Sequence, residues 1–228
     1  MFFFNRITSI SPKDKVLEIG PGSTPHARAN EFLEYQFDSQ KVALAQRGNV
    51  LANPNFGGRQ VSYYDGGRFP FADNAFDYVI ASHVVEHTPD PLGFLSEVFR
   101  VGGGRGYIEF PLPPYEYLFD LDVHLSYVWF DETTKTLRFV RKQRQVLDEF
   151  SSITGELRRG LELGWDDIVR NNLSFFIQGF EFSSPFDVCE EPSLKAYEQR
   201  WKNPGNGLAR RLVRKVEALF PQDAKASR

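Results

Sequence analysis

Four short apolar runs in the first 82 residues, each closed by an acid, a glycine or a small polar residue, restrict this chain more than any other feature. "KVLEIG" (15 to 20) ends in a glycine loop, "EYQFD" (34 to 38) in an acid, "VSYYDGG" (61 to 67) in an acid and glycines, and "FDYVIAS" (76 to 82) in a serine. Runs of this length bounded by turn residues read as strands. Helical stretches fall between them. "ANEFL" is expected to form a helix behind the first strand, and "DPLGFLSEVFRV" puts apolar residues at 92, 94, 95, 98, 99 and 101, with Asp90 as cap and Pro91 at the first helical position. "GGGRGYIEFP" then feeds a fifth strand over 106 to 110. This alternation implies a doubly wound α/β sheet with helices on both faces, whose ligands bind beyond the carboxyl ends of the strands.

After Pro111 the rhythm changes. "LPPYEYLFDLD" reads as a proline- and aromatic-rich connection, and "HLSYVWF-DETT-KTLRFV" as a β-hairpin inserted after strand 5. Helices are expected around 142 to 150, 161 to 171 and 191 to 201, with a strand within "LSFFIQGFEF". The last helix, 205 to 221, has Leu208, Leu212, Val213, Val216, Leu219 and Phe220 on one face and Arg210, Arg211, Arg214 and Lys215 largely opposite. Such a basic amphipathic helix either docks on its own domain or lies on an anionic membrane.

A chain of 228 residues, 41% hydrophobic, fits one domain over 1 to 228. Cys189 is the only cysteine, so no intrachain disulfide or cysteine zinc cluster can form, and the cytoplasm is the expected compartment. The apolar start "MFFF" breaks at Asn5-Arg6, and no run approaches the roughly 20 apolar residues of a transmembrane helix. Net charge is -3, with basic residues gathered in the tail, which argues against a nucleic-acid partner. The oligomeric state is not legible in the sequence.

The first loop, "LEIGPGSTPH" (17 to 26), narrows the ligand. Gly20 and Gly22 let a nucleotide-like group approach the backbone. A dinucleotide fingerprint needs a third glycine where Pro25 stands, and no Gly-Lys-Ser/Thr follows as a phosphate loop requires. Glu18 at the strand mouth would repel a pyrophosphate but can hold a cation. Asp38 is placed to accept from a ribose diol, and Asp65 from an adenine amino group, with the Gly66 amide facing a ring nitrogen. Together these ask for a cationic, phosphate-free nucleoside.

The segments "VLEIGPGSTPH", "YQFDSQ" and "YYDGGRFPFADNAFDYVIASHVVEHTPDPLGFLSEVFRVGGGRGYIEFP" resemble, in order and spacing, class I S-adenosylmethionine (SAM)-dependent methyltransferases of the type 11 kind, over about residues 15 to 111. The resemblance implies a Rossmann-like, seven-stranded methyltransferase sheet with SAM across strands one to four. Glu18, Gly20, Pro21 and Gly22 would lie near the methionine end, Asp38 at the ribose and Asp65 with Gly66 at the adenine. Ser82 and His83 would border the transferring methyl. Residues 112 to 141 would then be the acceptor-binding insertion. Thr24, Pro25 and His26 replace the usual small third glycine, a variant that resembles methyltransferases of polysaccharide and secondary-metabolite pathways.

The stretch "ASHVVEHTPDP" also carries the H-x-x-E-H pattern of a zinc peptidase, His83, Glu86 and His87. Pro89 and the new helix start at Asp90-Pro91 leave at most one turn to hold both histidines, so the sequence assigns no metal ligand here. His87 and Glu86 are expected to orient the loop. His83 and His124 are the candidates for a base acting on a hydroxyl acceptor. Glu109 can bind an acceptor sugar or, with Asp122 and His124, a Mg²⁺ ion. Tyr115, Tyr117 and Phe119 can stack on an acceptor or pack on the sheet. The expected function is O-methylation of a sugar, glycan intermediate or other small metabolite; the alternative is a catalytically degenerate domain that binds a partner or membrane through its terminal helix.

Overall fold

The computed structural model describes residues 1–46, 55–143, 155–157, 159–160 and 167–202. The chain divides into two compact units, Met1–Glu190 and Glu191–Arg228. Within the first, a six-stranded sheet has β1 (Val16–Ile19), β2 (Glu31–Tyr35), β3 (Gln60–Tyr64), β4 (Tyr78–Ser82), β5 (Gly106–Pro111) and β8 (Ile177–Phe182), in the order β3-β2-β1-β4-β5-β8. The first five strands are parallel, and β8 runs antiparallel to β5, pairing Glu109 with Gly179. The sheet implied by the resemblance has seven strands; six are present among the described residues.

The crossovers explain this layout. Helix α1 (Gln40–Gln46) follows β2, and α2 (Pro91–Val101) joins β4 to β5. The Asp90 side chain caps α2 by accepting from the Gly93 amide at 3.1 Å, with Pro91 in the first turn. Its buried positions, Phe94, Leu95, Val98 and Val101, repeat every three or four residues and form the core face.

The expected helix at "ANEFL" does not form. Glu31 to Leu33 pair with Leu17 to Ile19 as strand β2, and residues 20 to 30 cross over without an α-helix. Fewer than a dozen residues separate β1 from β2, too few for a helix and both its loops. The second strand therefore stops at Tyr35, with Asp38 three residues beyond its end rather than closing it.

Part of the sheet face is covered by the chain's own first residues. Met1, Ile7 and Ile10 pack against a buried cluster of Val16, Tyr78, Ile80 and Tyr107. The segment is held by two carboxylates. Glu181 on β8 accepts from the Thr8 and Ser9 amides and hydroxyls, and Glu109 on β5 accepts from the amides of Phe2 (2.7 Å) and Phe3 (3.0 Å).

After β5 the predicted connection contains a short helix, α3 (Pro113–Phe119), which two prolines in its first turn help to start. β6 (Ser126–Asp131) and β7 (Thr136–Arg141) pair antiparallel, and β9 (Asp187–Glu190) adds in parallel to β7, making a second, three-stranded sheet. Helices α4 (Asp167–Asn171) and α5 (Leu173–Phe176) precede β8, so the first four residues of "LSFFIQGFEF" are helical. The second unit contributes α6 (Lys195–Lys202). The helix expected at 142 to 150, the start of that at 161 to 171 and the terminal helix at 205 to 221 lie outside the described residues. Among the described residues, no helix is long and apolar enough to cross a membrane.

Candidate active site

Parallel strands bring their carboxyl ends to one edge, and the order β3-β2-β1-β4 sets the four acid- and glycine-bearing loops side by side. Two contacts show this directly. A side chain at Gly20 would meet Val84 just past β4, and one at Gly66 would meet the Tyr35 ring at the end of β2. Gly20 (φ 58°) and Gly22 (φ 60°) both take the left-handed conformation that glycine adopts without strain. Around Gly22, apart from its chain neighbours, no atom of the described residues lies within 4 Å of where a Cβ would stand. That room suits close approach of a ligand to the backbone.

Glu18 sits beneath this loop. It is buried, and one carboxylate oxygen accepts from the His26 amide at 2.6 Å, so the Thr24-Pro25-His26 variant folds back onto the acid. Burial raises its pKa to about 7, with the His26 bond opposing the shift. A cation beside Glu18 would complete its ionisation. Pro21 is buried, while Asp38 and Asp65 are exposed at the ends of β2 and β3, and Asp65 accepts from the Gly67 amide at 3.1 Å in a tight turn. This donor set, a buried acid, open glycines and two exposed acids with no basic phosphate clamp among them, fits a cationic nucleoside.

The loop after β4 is more constrained. His83 has φ 57°, a left-handed conformation unusual for a residue with a side chain. Its Nε2 lies 3.1 Å from Glu109 Oε1 and its Nδ1 3.3 Å from Glu86 Oε1. Burial disfavours a charged imidazole, but the bonds to Glu109 and Glu86 outweigh it and raise the His83 pKa to about 9. Both ring nitrogens face carboxylate oxygens, so the geometry favours the doubly protonated ring, a donor rather than the base the sequence suggested. Phe2 packs edge-on against its ring at 5.4 Å.

Glu109 is fully buried and accepts from the Tyr107 hydroxyl (2.6 Å), the Ser82 hydroxyl (3.0 Å), His83 and the Phe2 and Phe3 amides. Burial alone would raise its pKa, yet these partners hold it down at about 2. With its oxygens so engaged, it is neither a sugar ligand nor a member of a cation set with Asp122 and His124.

His124 is paired instead with Glu116, Nδ1 to Oε1 at 2.5 Å, and the other Glu116 oxygen accepts from Lys142 Nζ at 2.6 Å. All three side chains are buried. His87, on the single 3₁₀ turn Val85–His87, stands edge-on to His124 with ring centroids 4.5 Å apart. Burial lowers the His87 pKa to about 4, which keeps the imidazole neutral. Sequence reasoning missed Glu116 and Lys142, for nothing in "PPYEYLF" marks its acid as a histidine partner. Of the aromatics expected to stack, Phe119 is buried in a cluster with Phe3, Val169, Phe176 and Ile177, Tyr115 packs on it, and Tyr117 remains exposed, stacked on Tyr127 at 5.3 Å.

The fold is a mixed α/β domain whose strand-end acids and glycines lie along one edge. Residues 17–110 match the family described as a methyltransferase domain. Solved structures similar to the chain include a SAM-dependent methyltransferase of Thermotoga maritima, titled a possible histamine N-methyltransferase (21% identity, 47% of this chain and 48% of that chain, TM-score 0.33). Others are a putative methyltransferase of Bacillus halodurans (26%, 47% and 48%, TM-score 0.31) and a SAM-dependent methyltransferase of Mesorhizobium loti (13%, 58% and 59%, TM-score 0.34). The chain spans about half the length of the solved structures it matches. No curated protein matches.

Proposed function

We propose that this protein transfers the methyl group of SAM to a hydroxyl oxygen of a sugar, glycan intermediate or other small metabolite, with the cytoplasm as its compartment. The observation that carries the reading is the row of strand-end loops in which buried Glu18, open Gly22 and exposed Asp38 and Asp65 come together within a methyltransferase-domain segment. SAM supplies a methyl carbon on a positively charged sulfur, which leaves as a neutral thioether. Glu18 stabilises the positive charge, Asp38 accepts from the ribose diol, and Asp65 with the Gly66 amide reads the adenine edge. Methyl transfer is an in-line displacement, so the chain's main contribution is alignment. The acceptor hydroxyl gives its proton to solvent as its oxygen takes the methyl. His83, held as a cation by two carboxylates, orients the loop that borders this event. The segment 112 to 141 follows β5 directly and serves as the acceptor side.

Thermal unfolding with SAM and with S-adenosylhomocysteine tests the donor half. Ligand at 100 times its dissociation constant adds about 2.7 kcal/mol and raises the melting temperature. An unchanged melting temperature at millimolar ligand rejects the reading. Radiolabelled SAM offered to hydroxyl, amine and carboxylic acid acceptors tests the acceptor half, where label should enter an alkali-stable ether.

A further inference from the structure

Among the described residues, the one group of three or more histidine, cysteine or acidic side chains able to hold a metal ion is Glu86, His87 and His124, with one ligand atom from each within 4.8 Å of the others. Glu86 is fully buried; His83 faces its Oε1, and its Oε2 receives no hydrogen bond among the described residues. A buried carboxylate without donors is costly unless a cation compensates it. His83 stands 3.3 Å from Oε1 and supplies part of that compensation, which leaves Oε2 for another cation.

Both histidines are prepared in the same way. His87 Nδ1 lies 3.1 Å from the Val123 carbonyl oxygen, and His124 Nδ1 lies 2.5 Å from Glu116 Oε1. Each acceptor fixes the proton on Nδ1 and leaves the Nε2 lone pair available. An imidazole oriented through its second nitrogen by a carbonyl or carboxylate is the usual state of a metal-ligating histidine. The backbone fastens the two segments together, since the Leu125 amide donates to the Glu86 carbonyl at 2.7 Å.

We infer that Glu86, His87 and His124 form a divalent-cation site. Two imidazoles and one carboxylate favour Mn²⁺, Fe²⁺, Co²⁺ or Zn²⁺ over Mg²⁺ or Ca²⁺, whose ligands are mostly oxygen. Three protein ligands leave coordination positions vacant, and an acceptor with two adjacent hydroxyls can fill two of them. The ligand turn begins three residues past β4, beside His83. A hydroxyl coordinated there is acidified next to the methyl donor and gives its proton to solvent. That role rests on the methyl-transfer reading, whereas cation binding does not.

The test uses the full chain stripped with chelator and titrated with Co²⁺, whose visible absorption reports its ligands. One equivalent should bind, with X-ray absorption showing two imidazoles and at least one carboxylate oxygen. His87→Gln and His124→Gln should each weaken binding at least a hundredfold, and Glu116→Gln about tenfold to a hundredfold through the histidine it orients. A preserved SAM-induced rise in melting temperature certifies each variant as folded. Stoichiometric binding unaffected by both histidine variants, or no binding by wild-type protein at millimolar Co²⁺, overturns the site. If Co²⁺ binds as described but SAM gives no thermal shift, the methyl-transfer reading falls and the site stands. If SAM binds and acceptor methylation survives chelator unchanged, the assigned role falls.

Discussion

At the residue scale, the proposed role of Glu18 predicts that SAM binding depends on pH. Its folded pKa of about 7 exceeds that of an ordinary glutamate, so the protonated acid is the form the fold favours. The corresponding stability is complete below pH about 4.5 and is lost as pH rises through about 7, a change on the order of 3 kcal/mol. A cationic ligand selects the ionised form, so SAM affinity should rise as pH increases from 6 to 8. Glu18→Gln should abolish that dependence and weaken SAM binding, as calorimetry at several pH values would show; an unchanged profile in the variant would place the dependence elsewhere. Gly22→Ala separates backbone strain from ligand contact. At φ 60° an alanine costs about 1 kcal/mol, a fall of about 2–4 °C in melting temperature. The added methyl meets no other atom of the described residues, so a loss of SAM affinity of tenfold or more would assign that space to the ligand.

At the element scale, α2 tests how far one cap determines stability. Asp90→Ala removes the acceptor for the Gly93 amide and should cost about 1 kcal/mol, lowering the melting temperature by about 2–4 °C without changing SAM affinity. The same helix shows what was legible beforehand. Its cap, its proline and its spacing of apolar residues are all local, and so are the glycine turns that end β1 and β3. The β1–β2 crossover was not legible, because "ANEFL" has the composition of either element and the choice was made by pairing with β1. The same limit applies at the candidate site. The acids and glycines of the strand-end loops are marked by their position, whereas the Glu116–His124–Lys142 chain depends on α3 meeting residues just before β6 and just after β7 in three dimensions. The H-x-x-E-H pattern was legible as a pattern, but His124, which joins Glu86 and His87 in the inferred cation site, lies on another segment.

At the scale of the whole molecule, the sheet and its amino-terminal covering form one system. Tyr78 and Tyr107 turn their hydroxyls to Glu181 and Glu109, the same acids that hold the first residues of the chain. Glu109→Gln would keep the shape but lose the charge, and should speed amide hydrogen exchange at Phe2 and Phe3 while leaving α2 protected. Equal protection in variant and wild type would mean that the Glu181 bonds and the apolar packing of Ile7 and Ile10 suffice to retain the segment.

Glu109 also has a consequence for the order of folding. It gathers donors from residues 2, 3, 82, 83 and 107, and two of those bonds close loops of more than 100 residues. Contacts so distant in sequence form late, after shorter-range pairings have lowered the entropy of closing them. The conformation of His83 and the loop bordering the donor therefore belong to the last stage of assembly. During refolding, helical signal should return before affinity for the methyl donor does, and that affinity would serve as a clock for completion of the native state.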